Sequence, residues 1–191
     1  MPTASRAQIP VFASVPSKLD DPQTASQRYV YGRLAEVGLE PRTVGATDRG
    51  MYNPLHEVRT LARHCAGGII LGYEQITAKR AFVKTREGPE GVVVETLLRG
   101  YHAPTPWNQL ETGILFGLGL PLFVLRQEKV TGGVFDEGAV DVLVHDMPMP
   151  GKEWDRSRPA DLKNPTACEG FDAALLRWQS LVYSQYYGEQ R

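Results

Sequence analysis

The sequence is short of cysteine, of long apolar runs and of charge of one sign, and each shortage closes off a class of function. Its two cysteines, Cys65 and Cys168, lie far apart and match neither a metal-binding spacing nor a redox pair. His56, His64, His102 and His145 are scattered, so no metal is expected. No stretch is long and apolar enough to span a bilayer, and residues 1–9 are polar, without the apolar core of a signal region. The formal net charge is −1 and no block of like charges forms a tail, which argues against a dedicated nucleic-acid binder. Gly132-Gly133 is followed by no Gly-Lys-Ser/Thr, and no GxGxxG is present, so a phosphate loop of either kind is missing. These absences point to a cytoplasmic protein with no membrane or nucleic-acid partner and no cofactor.

What is present is an alternation of strand-like and helix-like segments. The length of 191 residues suits one domain spanning 1–191, since a domain usually takes about 100–200 residues. Residues 9–15 are apolar on both faces and read as a buried first strand ending at Pro16. A helix capped by Asp21 follows and stops at Gly38. Residues 39–46 form a second strand, with Pro41 suited to a sheet edge. Asn53-Pro54 opens another helix, with Leu55, Val58, Leu61, Ala62 and Cys65 on one side, and 69–73 form a central third strand. Residues 74–104 break the rhythm. Two β-prone runs, 81–86 and 92–98, flank Glu87-Gly88-Pro89-Glu90-Gly91, which reads as an inserted β-hairpin or flap. Strands at 122–125 and 140–145 and a last helix over 167–187 complete the chain. Strands alternating with helices predict a mainly parallel five-stranded sheet with helices on both faces. The expected class is α/β, a flavodoxin-like three-layer sandwich of strand order 2-1-3-4-5 with a β-hairpin insertion at about 74–104.

The stretch 105–121 carries the chemistry. Thr105 suits an N-cap, Pro106 the first helical position, Gly119 a left-handed stop and Pro121 a barrier to continuation. Helical spacing puts Trp107, Glu111, Ile114, Leu115 and Leu118 on one face. Glu111 is the one charge on that face, and an ionised carboxylate there needs a partner, a cleft or a chemical role. In a parallel sheet of this order ligands bind outside the carboxyl ends of the strands, the side that the start of this helix also faces.

Glu111-Thr112-Gly113 followed by Leu118-Gly119-Leu120-Pro121 resembles the Glu-x-Gly…Gly-x-Pro signature of nucleoside 2-deoxyribosyltransferases. Thr105-Pro106-Trp107, with Trp107 four residues before Glu111, is similar to the Ser-x-Trp-x-x-x-Glu pattern of TIR domains that cleave NAD. The chain departs from both. Phe12 and Ser14-Val15-Pro16 stand where the transferases carry a tyrosine and a glycine, Asn108 replaces the cysteine of the TIR pattern, and the 74–104 insertion belongs to neither. The resemblance implies cleavage or transfer at an N-glycosidic bond of a nucleoside, nucleotide or NAD, with Glu111 as nucleophile or as stabiliser of an oxocarbenium-like cation. It also implies a homo-oligomer, since sites of both kinds often depend on neighbouring subunits.

Around Glu111, the substrate-binding candidates are Ser14 and Ser17 at the end of the first strand, and Asp48 and Arg49 in the loop after the second. Tyr73 could replace the missing phenol, Trp107 could stack on a base, and Asn108 could bond ribose hydroxyls. For Trp107 the competing expectation is core packing; for Asn108 it is a solvent-facing position. A second functional reading keeps the fold without the chemistry, as a nucleotide-sensing or scaffold domain. A flavin or signalling domain is the third, opposed by the lack of a phosphate loop after the first strand, where Pro16 removes a backbone donor.

Overall fold

The computed structural model describes residues 8–45, 53–87, 89, 91–139, 144–151 and 165–188. The chain begins with β1 (Ile9–Ser14), α1 (Asp21–Glu36) and β2 (Leu39–Arg42). Next come α2 (Pro54–Ala62), β3 (Gly68–Gly72), β4 (Ile76–Glu87) and β5 (Val92–Ala103). It closes with α3 (Pro106–Gly117), β6 (Leu122–Arg126), β7 (Val144–Asp146) and α4 (Pro165–Gly188). β1, β2, β3, β6 and β7 form one parallel sheet in the order β2-β1-β3-β6-β7. This is the flavodoxin-like order expected from the sequence. β4 and β5 stand apart as a two-stranded antiparallel ribbon.

Local chemistry sets the ends of these elements. α1 is capped by Asp20 rather than Asp21: the Asp20 carboxylate accepts from the Gln23 N–H at 2.8 Å, and Gln23 Oε1 accepts from the Asp20 N–H at 3.2 Å. Two N-terminal donors are satisfied at once, which starts the helix one residue earlier than expected. Thr105 caps α3 as read, its hydroxyl accepting from the Asn108 N–H at 3.4 Å. Gly119 ends that helix with φ +71°. β2 stops at Arg42, short of the expected strand, and holds Pro41 on the sheet edge. β7 begins at Val144, and 140–143 of the expected fifth strand lie outside the described residues. Leu55 is exposed instead of joining Val58 and Ala62 in the core.

The sheet's period-2 alternation sorts its side chains into two cores. Ile9, Val11, Ala13, Ile69, Leu71, Tyr73, Phe123 and Leu125 pack with Val30 and Leu34 of α1 and with Phe171, Leu175, Trp178 and Val182 of α4. Phe12, Ile70, Leu122 and Val124 pack on the other side with Val58 and Ala62 of α2 and Leu115 of α3. α3 sits close to β3: a Cβ on Gly68 would stand 2.8 Å from Leu115 Cδ1. A side chain there would have to displace Leu115.

Candidate functional site

By this parity Ser14, the last residue of β1, belongs to the α2/α3 side of the sheet. There it meets α3, whose buried stripe is Asn108, Thr112 and Leu115. This corrects the expected face of Trp107, Glu111, Ile114, Leu115 and Leu118. α3 is turned so that two polar residues lie beneath it, Glu111 is at the edge of the buried stripe and Trp107 is outside it. Burial is tolerated because each polar group is satisfied. Thr112 Oγ1 donates to the Asn108 carbonyl at 2.6 Å, and Thr105 Oγ1 donates to Asn108 Oδ1 at 2.8 Å. Asn108 Nδ2 donates to Ser14 Oγ at 2.9 Å and lies 3.4 Å from the Ser14 carbonyl. Ser14 Oγ in turn donates to Glu111 Oε2 at 2.5 Å.

These bonds run in one direction. Thr105 fixes which end of the Asn108 amide is the acceptor, so its NH₂ must face Ser14. Ser14 then receives a proton from Asn108 and spends its own on Glu111. A donor chain of this kind polarises each successive bond towards the terminal carboxylate. Burial nevertheless dominates. It pushes the Glu111 carboxyl from an ordinary 4.5 up to about 7, against the lowering effect of the Ser14 bond. Among the described residues no cation forms an ion pair with Glu111.

Beside this carboxylate α2 and α3 enclose an open groove of about 800 Å³. It is lined by Asn53, Pro54, Leu55, His56, Arg59, Trp107 and Ile114. Trp107 is 44% exposed and serves this wall rather than the core. Trp107 and Ile114 lie one turn before and one turn after Glu111. Glu111 itself does not line the groove; its carboxylate turns towards Ser14. The third side of α3 holds the loop after β6, with Gln109 Nε2 donating to the Gly132 carbonyl and Gln109 Oε1 accepting from the Val134 N–H, both at 3.0 Å.

The structure thus brings together Ser14, Asn108 and Glu111, with Trp107 adjacent. Asn108 is 1% exposed and does not face solvent. Ser17 is exposed in the loop after β1. Tyr73 is on the opposite side of the sheet, fully buried, its hydroxyl donating to Ser26 Oγ of α1 at 3.0 Å. Burial raises its pKa, so it is a neutral structural phenol and does not reach Glu111. Asp48 and Arg49 lie outside the described residues.

Sequence reasoning passed over Thr105 and Thr112 as site supports, and His56 and Arg59 as groove residues. The last two follow Asn53-Pro54 at helical spacing, but no sequence signal says that α2 faces α3. It also missed a polar cluster at the carboxyl ends of β3 and β6. There Gln127 Oε1 accepts from Gln23 Nε2 at 3.1 Å and from the Glu74 N–H at 2.9 Å. Beside it Glu74 Oε2 lies 2.6 Å from His102 Nδ1. Among the described residues no group of histidine, cysteine and carboxylate side chains could hold a metal, and no helix is long and apolar enough to cross a membrane. Comparison with protein-family models, with curated proteins and with solved structures gave no match.

Proposed function

We propose that this chain breaks, or transfers across, the N-glycosidic bond of a nucleoside, nucleotide or NAD, with the Glu111 carboxylate at the anomeric carbon. The observation that carries the reading is a half-buried carboxylate that forms no ion pair among the described residues, held by Ser14 at the carboxyl end of β1. An uncompensated negative charge at a partly dry site stabilises a developing oxocarbenium-like cation more than it would in water. As the C–N bond breaks, its electron pair leaves with the base. A Glu111 oxygen either forms the new C–O bond or stays as counter-charge until water or an acceptor hydroxyl attacks the anomeric carbon. The attacking group's proton passes to the departed base, or to solvent where the base leaves neutral, and in the covalent branch the C–O bond to Glu111 breaks, so the carboxylate is regenerated. Trp107 offers a flat apolar wall for the base. Arg59 on the facing wall supports a phosphate-bearing substrate over a free nucleoside.

One observation favours a binding domain that does no chemistry: the groove is lined by the neighbours of Glu111 and not by Glu111. Incubation with mixed nucleosides, nucleotides and NAD, read as released base by mass spectrometry, separates the two. The catalytic reading expects base from the wild type and none from Glu111→Gln. Binding without release by either protein overturns it in favour of sensing.

A further inference from the structure

The β4–β5 ribbon turns its two faces to different surroundings. Its register pairs Ala81 with Leu98, Val83 with Thr96 and Thr85 with Val94 on one face. All six are uncharged and partly buried. The other face pairs Arg80 with Arg99, Phe82 with Leu97, Lys84 with Glu95 and Arg86 with Val93, and all eight are exposed. Among the described elements no helix or third strand packs along the ribbon. It is tied to the domain at its base, where the Gln75 N–H donates to the Ala103 carbonyl and His102 meets Glu74.

The exposed face has two properties that contact with water does not explain. The first is its apolar content: Phe82 is 68% exposed, Val93 57% and Leu97 38%. Phe82 and Leu97 stand directly opposite each other, so they form one patch and not two scattered contacts. The second is charge. Four cations, Arg80, Lys84, Arg86 and Arg99, share the face with a single carboxylate, Glu95, in a chain whose formal net charge is −1. The cations flank the apolar pair along the ribbon, Arg80 and Arg99 on one side of it and Lys84 and Arg86 on the other.

We propose that this face lies flat on an anionic phospholipid surface. Phe82, Leu97 and Val93 enter the boundary between headgroups and acyl chains, and the four cations meet the headgroup anions. As for an amphipathic helix at an interface, buried apolar area and attraction to anionic lipid add together. The long Arg and Lys stems let the charges stay at headgroup level while their neighbours go deeper. The ribbon backbone stays in the hydrated headgroup layer, so no main-chain group enters hydrocarbon unpaired. The aliphatic side chains decide against a nucleic acid. It would pair with the cations and stack on Phe82, but it offers nothing to Val93 and Leu97. Glu87 and Glu90 lie in the sequence where the two strands meet, so the flat of the ribbon and not its tip makes the contact. The lack of a spanning segment and the near-neutral total, which pointed away from membranes, do not bear on a local face of this kind. The contact is peripheral and independent of the chemistry at Glu111.

The full chain is tested by flotation with vesicles of phosphatidylcholine alone and of phosphatidylcholine mixed with phosphatidylserine, with circular dichroism as the check on folding. The wild type is expected to bind the mixed vesicles at least tenfold more tightly than the neutral ones, and to lose that advantage at high salt. The double variant Lys84→Glu with Arg86→Glu is expected to weaken binding at least tenfold, and Phe82→Ser at least threefold. Leu181→Ser, which removes a comparably exposed apolar side chain from α4, should leave it within twofold. Because a variant can disturb the ribbon, a second measurement reads tryptophan quenching by brominated acyl chains in the mixed vesicles. Phe82→Trp is expected to add quenching over the wild type, and Leu181→Trp to add none. No binding to the mixed vesicles, equal binding to both kinds, indifference to the charge reversal and to Phe82→Ser, or no added quenching in Phe82→Trp overturns the proposal. So does a single-stranded oligonucleotide that binds through the same residues while the mixed vesicles do not.

Discussion

The corner where β1 meets α3 and the β4–β5 ribbon obey the same alternation rule with opposite results. At the corner, parity carries Ser14 under α3, and Asn108, Thr112 and Leu115 close over it. Each buried polar group there has a partner within the chain. In the ribbon, parity also sorts charged from uncharged side chains over 80–86 and 93–99, but the uncharged face is only partly buried, and among the described elements no helix or third strand packs along it. Alternation therefore shows which face a segment is built to bury. Whether the cover comes from the same chain has to be read from packing.

Changes at the corner and in the ribbon should differ in size and kind. The largest effect is expected from Glu111→Gln, which should lower base release by at least about 10³-fold while preserving the fold, as removal of a transition-state charge partner does. Leu115→Ala, at the packed corner, should destabilise by about 2–5 kcal/mol. Val83→Ala in the ribbon should change monomer stability by less than about 1 kcal/mol, the scale of a cross-strand pair. Urea unfolding at low protein concentration reads both, and equal losses would erase the distinction. Asn108→Ala, which leaves Thr105 and Ser14 without their shared partner, should cost about 1–3 kcal/mol by the same measurement.

A smaller effect concerns the sign of the pH dependence. The folded-state pKa of Glu111, about 7, is above its ordinary 4.5, so the folded protein holds an extra proton between those values. Its burial therefore lowers stability progressively as pH rises from 4.5 to 7, and fully above 7. Glu111→Gln removes that penalty. Its melting temperature should exceed that of the wild type at pH 8, by roughly 2–4 °C for each kcal/mol relieved, and the gap should close near pH 4.

The sheet order and the two ends of α3 were legible because they rest on local signals. Residues 9–15 are apolar on both faces, Thr105-Pro106 starts a helix and Gly119 ends one. The phase of α3 was not legible. Trp107, Leu110, Ile114, Leu115, Phe116 and Leu118 surround the helix with apolar side chains, so periodicity admits several buried faces. Hydrogen bonding decided among them, through partners on β1 that a helical wheel does not contain. The ribbon outran its expected strands because Lys79, Arg80, Arg99 and Gly100 interrupt the apolar runs without interrupting the pairing of β4 with β5. Tyr73 was misplaced for a simpler reason. Being near the end of β3 did not say which side of the sheet it faces, and odd parity sends it to α1.

The most direct test is the pH dependence of base release by the wild type and by Ser14→Ala. The account predicts a wild-type rate that rises with an apparent pKa near 7, where Glu111 ionises. In Ser14→Ala that limb should move to higher pH, because the bond that favours the carboxylate is lost, and the two rates should converge at alkaline pH. A limb at the ordinary carboxylate value of 4.5, or one that Ser14→Ala leaves in place, would contradict it.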